Sequence, residues 1–180
     1  DYLAAALNVD AGWLLSGAPD GGAADTLARA RALLREEQWQ ACLELLREGA
    51  ALPTRGSASA AGYDLRACIE ESVIIAPGAT AMVGTGLSIA VPEGYFGAVF
   101  ARSGLAAKQG VRPANCVGVC DSDYRGEYTV ALHNDSAVPC EICPGDRIAQ
   151  LVVIPYLELD FQETHELEST ARGAGGFGST

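Results

Sequence analysis

Five short clusters along the chain combine an arginine with glycine, aspartate or serine, residue types suited to binding an anion. Glycine lets the backbone approach an anion closely, and the arginine guanidinium binds phosphate oxygens through paired hydrogen bonds. Each cluster alone is a weak signal, because a turn with a salt bridge or a frayed glycine-rich end has the same composition. In chain order the clusters are AGYDLRA (61–67), ARSGLA (101–106), GVCDSDYRGE (118–127), GDRIAQL (145–151) and RGAGGFGST (172–180).

Composition limits what such clusters could bind. The chain has 180 residues, of which 49% are hydrophobic, enough for one domain with a real core plus an appendage. The formal net charge of −11 argues against duplex nucleic acid as a general partner, because neutralising phosphates requires clustered Lys and Arg. Any phosphate site is therefore expected to be small and local.

The six cysteines are expected to be free thiols of a soluble, cytoplasmic protein that does not enter a membrane. The sequence shows no apolar leader and no uncharged apolar run of about 18 residues. Cys140 and Cys143 form a C-x-x-C pair, but no second pair completes a zinc site, so we expect ordinary strand positions. Asn134 begins an N-x-S glycosylation match, which we interpret as accidental without a secretory signal.

Most of the chain is predicted to form short β-strands that carry these clusters. Apolar runs recur between Pro-Gly and Pro-Glu-Gly turns, a pattern typical of an all-β sandwich or barrel. Alternation predicts that Phe96, Ala98 and Phe100 face one side and that Tyr128, Val130 and Leu132 face another. The run CLELLREGAALP (42–53) also fits helical spacing, but Gly49 and Pro53 interrupt it, and we interpret it as the first strand.

Residues 1–38 are predicted to be a helical extension with a linker at 18–25. YLAAALNVDAGWLLSG (2–17) indicates two short helices around a turn, and it resembles the last helices of small helix-turn-helix repressors of phages. A recognition helix of that kind would lie upstream of Asp1, so this fragment is not expected to bind DNA. TLARARALLREEQ (26–38) reads as a solvated connecting helix.

In their order and spacing, the five clusters resemble the five motifs of the homotrimeric dUTPases, from about Cys42 to Thr180. The resemblance implies a mostly β, jelly-roll domain over 39–180, three chains around an axis and active sites between subunits. It also implies hydrolysis of dUTP to dUMP and pyrophosphate by attack of water on the α-phosphate. This reaction keeps uracil out of DNA and supplies dUMP.

By this resemblance, four residues near the third cluster handle the nucleoside and the water. Asp121 matches the aspartate that orients and deprotonates the attacking water, a role suited to a carboxylate. Tyr124 matches the aromatic residue that lies against the deoxyribose, where a 2'-hydroxyl would clash. Asn115 matches the asparagine beside uracil, and the hairpin that includes Val119 reads the base edge through backbone groups.

The resemblance places phosphate binding in three other clusters. Arg102, Ser103 and Gly104 match the motif that grips the triphosphate, and Gln150 matches the glutamine that contacts phosphate and helps to fix the water. Asp64 matches an aspartate near the water shell of the metal. Mg²⁺ is expected to arrive on the triphosphate, because it dehydrates reluctantly and binds through substrate oxygens, so no protein ligand is assigned.

The last cluster is expected to be a mobile arm, residues 168–180, that closes over bound substrate. Closure of such a segment excludes water from the reaction. By the resemblance, Phe177 stacks on uracil and Arg172 reaches the phosphates as a catalytic residue. Glycines allow close approach of the backbone and two terminal hydroxyls bond phosphate oxygens; these residues are Gly175, Gly176, Ser179 and Thr180.

Two alternative functions are considered beside dUTP hydrolysis. A dCTP deaminase, or a bifunctional deaminase and dUTPase, would need a glutamate near the base, whereas DSDY (121–124) and the phenylalanine of the last motif favour hydrolysis. A repressor fused to a dUTPase body that senses nucleotide would explain the front segment. One departure is Cys120, which stands where the family usually has isoleucine.

Overall fold

The structure is a computed structural model that describes residues 42–45, 47–115, 117–176 and 178. The helical extension and linker predicted over 1–38, with the likeness to a repressor, lie outside these residues. The described part of the chain is mostly β, as predicted, and contains no helix long and apolar enough to cross a membrane.

The described residues form twelve strands and one helix, joined by turns and loops. The strands are β1 (Cys42–Leu45), β2 (Thr54–Arg55), β3 (Tyr63–Arg66), β4 (Val73–Ile75), β5 (Thr80–Gly84), β6 (Leu87–Ala90), β7 (Tyr95–Phe100), β8 (Val111–Pro113), β9 (Gly118–Cys120), β10 (Thr129–Asn134), β11 (Cys140–Ile142) and β12 (Arg147–Pro155). The helix, α1 (Ser103–Gln109), follows β7.

The strands form four antiparallel sheets. The largest has the order β2-β3-β12-β7-β9, and the others are β5-β10-β8, β1-β6 and β11-β4. In the largest sheet Gln150 of β12 is paired with Asp64 of β3 on one side and Phe100 of β7 on the other. The first, second and fourth clusters therefore meet at one end of three adjacent strands.

The Pro-Gly turns predicted from the sequence are confirmed. In Ala76–Ala79 the N–H of Ala79 donates to the carbonyl of Ala76 at 3.0 Å, and Gly78 has φ of 70°. This is the arrangement of a type II turn, whose third position needs the positive φ that glycine adopts without strain. Such turns reverse the chain in few residues and set the strand register.

The hydrophobic core lies between the sheets and includes Leu65, Ile75, Leu132, Ile142 and Ile148, each no more than 1% exposed. The predicted alternation in β10 is confirmed, with Tyr128, Val130 and Leu132 buried. Burial of apolar side chains on this scale is the main favourable term in folding.

Burial in β7 does not alternate. Ala98 is buried, but Phe96 and Phe100, which share its side of the strand, are only half-buried, whereas Gly97 and Val99 on the other side are buried. β7 is an interior strand of the five-stranded sheet, hydrogen-bonded along its two edges to β12 and β9, and near its middle both of its faces are buried. Alternation is typical of strands with one solvated face, and it weakens where both faces are covered.

Two elements near the clusters refine the prediction. The first strand is confirmed but short, ending at Leu45, and Gly49 with φ of 85° lies in the turn that follows. The second cluster, for which no helix was predicted, contains the start of α1. This helix is seven residues long, has no buried residue and no side-chain cap, so it carries no amphipathic signal.

Asn134 at the end of β10 is fully buried and joins three segments. Its Nδ2 donates to the carbonyls of Ile75 and Val138, both at 2.8 Å, and its Oδ1 accepts from the N–H of Ser136 at 2.9 Å. The glycosylation match at Asn134 is therefore accidental in this fold, as predicted, because the amide is inside the protein and fully used.

Candidate active site

A cavity of about 220 Å³ lies beside β9 and β10. Four residues predicted to handle the nucleoside and the water line it together: Asn115, Val119, Asp121 and Tyr124. The other lining residues are Val99, Gly118, Cys120, Glu127, Tyr128, Thr129 and Val130. The structure thus brings these four residues together around one cavity, and their roles toward a nucleoside stay a prediction.

The rim of the cavity is a turn over residues 121–128 that links β9 to β10. Asp121 follows the last residue of β9 directly and is exposed. Its carbonyl accepts from the N–H of Tyr124 at 3.1 Å, and Arg125 donates from Nη1 to the carbonyls of Ser122 and Tyr124 at 2.7 and 2.9 Å. These bonds hold the turn closed and leave the Asp121 carboxylate available at the rim.

Tyr124 lies over the backbone of the same turn. Its hydroxyl donates to the carbonyl of Glu127 at 3.0 Å, and its ring covers the α-carbon of Gly126 so closely that a Cβ there would overlap it. The ring remains 42% exposed. One face is therefore packed against protein, and the other is open to a ligand.

Tyr128 lies beneath Tyr124 and is 2% exposed. The two ring centroids are 6.0 Å apart with an interplanar angle of 51°, within the range favoured for aromatic pairs. The Tyr128 hydroxyl has no nitrogen or oxygen partner among the described residues, and its polar contact is the Cys120 thiol. Burial raises the pKa of this hydroxyl.

Cys120 belongs to the same wall. Burial raises the pKa of its thiol, the hydrogen bond with Tyr128 opposes this shift, and the charge of Asp121 adds to it. The thiol is therefore protonated at neutral pH and is a weak nucleophile. Nothing in its surroundings points to a reactive cysteine.

The Glu127 carboxylate is fully engaged on the far side of the turn. One oxygen accepts from the N–H of Gly86 at 2.8 Å, and the other is paired with the Arg47 guanidinium. Although Glu127 lines the cavity, its role here is to anchor the turn to the β5–β6 connection.

The phosphate-binding candidates form a second group, centred on Asp64. Its Oδ1 accepts from Arg102 Nε at 2.7 Å and its Oδ2 from Arg147 Nη1 at 3.2 Å, and its side chain is 13% exposed. Gln150 donates from Nε2 to the carbonyl of Ala101 at 2.8 Å. Asp64 thus orients two cations and balances part of their charge.

Ser103 and Gly104 follow Arg102 as the first two residues of α1, and both are exposed. A Cβ at Gly104 would meet no atom within 4 Å, so space exists above this backbone. None of Asp64, Arg102 and Gln150 lines the cavity that holds Asp121. Within one chain the two groups are therefore separate.

The last cluster begins with a turn over residues 172–175. Arg172 donates from Nε to the carbonyl of Gly175 at 2.8 Å, and the Gly175 N–H donates to the Arg172 carbonyl at 3.1 Å. Arg172 is exposed, while Gly175 and Gly176 are half-buried, and none of the three lines the cavity. Phe177, Ser179 and Thr180 lie outside the described residues.

Sequence reasoning missed Tyr128 as part of the site. It was assigned only to the buried face of β10, which is correct but incomplete. The signal that could have found it is Gly97 within an interior strand, since such a glycine often marks a close approach by another group. A Cβ at Gly97 would lie 2.9 Å from the Tyr128 hydroxyl.

The described residues contain no group of three or more His, Cys, Asp or Glu side chains placed to hold a metal ion. Asp64, the carboxylate expected near a metal, is paired with two arginines. The side chains that the structure describes therefore do not form a cation site in one chain.

Comparison with known proteins identifies close relatives. The dUTPase family profile matches residues 48–180. A deoxyuridine 5'-triphosphate nucleotidohydrolase of Acinetobacter baumannii is 44% identical over 130 residues, covering 72% of this chain and 87% of the relative. A solved dUTPase variant of phage 80alpha superposes with a TM-score of 0.73 at 27% identity, covering 79% of this chain and 99% of that one.

A second solved structure is a dUTPase variant from phage phi11 of S. aureus, described as revealing the coordination of a structural Mg(II) ion. It superposes with a TM-score of 0.65 at 26% identity and covers 72% of this chain and 99% of that one. The similarities thus cover the β domain and its five clusters.

Proposed function

The chain belongs to the dUTPase family, and on that premise we propose that it hydrolyses dUTP to dUMP and pyrophosphate. The observation that carries the proposal is the gathering of Asn115, Val119, Asp121 and Tyr124 around one cavity. Such a reaction keeps uracil out of DNA and supplies dUMP. The family and the relatives are named for dUTP hydrolysis, which does not favour a deaminase or a nucleotide-sensing repressor.

The cavity binds the nucleoside. Asn115 and the backbone around Val119 face the uracil edge, and polar groups fixed in this way reject an analogue with the wrong hydrogen-bonding pattern by about 10⁴ to 10⁵. The open face of Tyr124 lies against the deoxyribose, where a 2'-hydroxyl would collide with the ring. Cytosine is excluded by hydrogen bonding and ribose by shape.

Asp121 is the general base. Its carboxylate stands at the cavity rim and, among the described residues, has no hydrogen-bond or salt-bridge partner, so it is available to accept a proton. It orients a water in line with the α-phosphorus and takes the proton as the P–O bond forms. Pyrophosphate leaves with the electrons of the broken P–O bond.

Arg102, Ser103, Gly104 and Gln150 hold the triphosphate. Arg102 is already oriented by Asp64, so little side-chain entropy is lost when phosphate arrives. Gln150 contacts phosphate and helps to place the water, and the exposed backbone at Gly104 allows close approach. Fixed donors of this kind stabilise charge that develops on the phosphoryl oxygens.

Mg²⁺ enters with the substrate. The described carboxylates do not gather into a metal site, so no step is assigned to a protein-bound ion. When bound, Mg²⁺ would neutralise triphosphate oxygens, and Asp64 would contact its water shell at most.

Three chains assemble into a ring with shared active sites. The support is that the nucleoside group and the phosphate group are separate within one chain, although one substrate must contact both. Arg172, Gly175, Gly176, Phe177, Ser179 and Thr180 complete the site as a closing arm, with Phe177 over uracil and Arg172 on the phosphates. The β domain is a jelly roll in this assembly.

A pyrophosphate-release assay with dUTP, dCTP, dTTP and UTP tests the function. We expect rapid release from dUTP and a specificity constant lower by several orders of magnitude for the other three. Ammonia release from dCTP would point to a deaminase instead. No pyrophosphate from dUTP, with the protein folded and Mg²⁺ present, would refute the proposal.

A further inference from the structure

We propose that Tyr128 is a positioning residue for sugar discrimination, acting through its contact with Tyr124. The inference rests on the proposed function, which assigns Tyr124 to the deoxyribose. Tyr128 does not touch the sugar itself in this scheme. Its ring fixes the depth and tilt of the Tyr124 ring, and that position decides whether a 2'-hydroxyl fits.

Tyr128 is held rigidly on its backbone. Its N–H donates to the carbonyl of Leu87 at 2.8 Å, and its carbonyl accepts from Thr85 Oγ1 at 2.7 Å. Thr85 is 1% exposed and Leu87 is fully buried. The Tyr128 ring therefore projects from one of the most constrained points in the molecule.

The hydroxyl end of the Tyr128 ring is held in place by packing. Its hydroxyl lies in the space that a side chain at Gly97 would fill, since a Cβ there would be 2.9 Å from the hydroxyl oxygen and 3.5 Å from the Cβ of Cys120. Gly97 and Cys120 are paired across β7 and β9. The ring thus spans from the β5–β6 connection to the floor of the cavity.

Tyr124 rests on this fixed ring. The centroids are 6.0 Å apart, the Tyr124 hydroxyl is tethered to the Glu127 carbonyl, and the ring covers Gly126. Tyr124 is exposed and lies in a turn, so without the buried ring it would have support from its own turn only. A shift of about 1 Å in a substrate-positioning group is enough to cost up to about 10² in rate.

The aromatic ring, rather than the hydroxyl, carries the positioning role. The hydroxyl has no nitrogen or oxygen partner among the described residues, and it is buried away from any ligand in the cavity. The two rings, by contrast, have the tilted geometry of a favourable aromatic pair. Tyr128→Phe, which keeps the ring, and Tyr128→Val, which removes it, should therefore have different effects.

The test measures kcat/KM for dUTP and for UTP in wild type, Tyr128→Phe and Tyr128→Val. Tyr128→Phe keeps the ring, and its dUTP-to-UTP ratio of kcat/KM should stay within about twofold of wild type. Tyr128→Val removes the ring, and the ratio should fall by about three- to tenfold, the worth of one aromatic pair. Loss of folded protein alone lowers both rates equally and leaves the ratio unchanged.

A second pair of variants keeps the inference falsifiable if Tyr128→Val does not fold. Gly97→Ala places a methyl group against the Tyr128 hydroxyl, so the ring must move and the ratio should fall. Adding Tyr128→Phe to Gly97→Ala removes the clashing oxygen but not the 3.0 Å approach of the methyl group to Leu151 Cδ1, so it should restore the ratio in part. Ile142→Val, in the core outside the cavity lining, is the matched control and should leave the ratio unchanged.

The outcomes separate the two claims. If wild type shows no preference for dUTP over UTP, the proposed function fails and takes this inference with it. If wild type discriminates, but Tyr128→Val and Gly97→Ala keep the wild-type ratio, Tyr128 is a core residue only and the inference is overturned. A fall in both, with rescue in the double variant, supports it.

Discussion

Asp121 is the residue on which the proposed chemistry depends, and its position makes a sharp test possible. It follows β9 directly, and its carboxylate has no hydrogen-bond or salt-bridge partner among the described residues. We expect Asp121→Asn to fold and to bind a non-hydrolysable dUTP analogue, because the amide is isosteric. Turnover should fall by at least about 10², since the general base is gone. Turnover near that of wild type in a pyrophosphate assay would remove Asp121 from the mechanism.

Cysteine chemistry gives a second prediction at the residue scale. Burial raises the pKa of both Cys120 and Cys140, so each thiol stays protonated to a higher pH than a free cysteine. We expect iodoacetamide to label the exposed Cys143 first, with Cys120 and Cys140 reacting appreciably only at alkaline pH. Peptide mass mapping across a pH series measures this order.

A nucleotide should distinguish Cys120 from Cys140, the two thiols whose pKa is raised. Cys120 lines the cavity, whereas Cys140 does not, so a non-hydrolysable dUTP analogue should protect only Cys120 at high pH. Equal protection of both would indicate a general tightening of the protein. Fast labelling of Cys120 at neutral pH would contradict the effect of burial on its pKa.

At the scale of elements, Asn134 shows how one buried amide fixes β10 against its neighbours. Asn134→Ala removes the amide donor to the carbonyls of Ile75 and Val138, of which Val138 keeps a contact with Ser136 Oγ at 2.9 Å. We expect a loss of about 2 to 4 kcal/mol in the free energy of unfolding, measured by urea denaturation at one protein concentration. Ser136→Ala, which removes only hydroxyl contacts of a partly exposed residue, should cost about 1 kcal/mol or less.

The closing arm is tested as an element by truncation after Ser169. Those of the removed residues that the structure describes make no contribution to the hydrophobic core, so the β domain should stay folded and assembled. Turnover should collapse, because Arg172 and Phe177 would no longer reach the substrate. Phe177→Ala alone should weaken analogue binding by about 1 to 3 kcal/mol, the worth of stacking on a base. Normal hydrolysis by the truncated enzyme would show that the arm has no role.

Sequence reasoning succeeded where the local signal matched the local environment. The turns at Pro-Gly and the one-sided strand β10 were predictable, because φ preference and alternation are properties of a few adjacent residues. It did not predict the burial of β7, where Gly97, Ala98 and Val99 are all buried, because the residues that pack on its two faces are distant in sequence. It also missed α1, whose seven residues include none that is fully buried, so no periodic pattern marks the helix.

In the candidate site, too, residues close in sequence were predictable, whereas contacts between residues distant in sequence were not. The cluster containing Asp121 and Tyr124 was readable because its residues are contiguous. The pairing of Asp64 with Arg102 and Arg147 spans 38 and 83 residues of sequence, so only the sheet brings them together. Tyr128 could not be assigned to the site from β10 alone, because its contact with Gly97 depends on strand packing.

For the whole molecule, the shared-site proposal predicts complementation. Asp121→Asn and Arg172→Ala, each nearly inactive alone, should regain activity when refolded together. If one site takes Asp121 from one chain and Arg172 from another, an equal mixture gives about one half times one half, so about a quarter of sites are intact. No activity in mixed trimers confirmed by native mass spectrometry would show that both residues serve from the same chain.

The stretch between β12 and the arm affects how readily separate chains associate with one another. Four apolar side chains in this stretch are 67–94% exposed: Leu157, Leu159, Phe161 and Leu167. Such an exposed apolar surface favours non-specific association between proteins. Every one of them is adjacent to an acid, and the stretch carries Glu158, Asp160, Glu163, Glu166 and Glu168 with no lysine or arginine. Copies approaching through this stretch repel one another unless the other surface supplies compensating charge or pairing. The acids therefore act as gatekeepers that disfavour association of separate chains through this stretch.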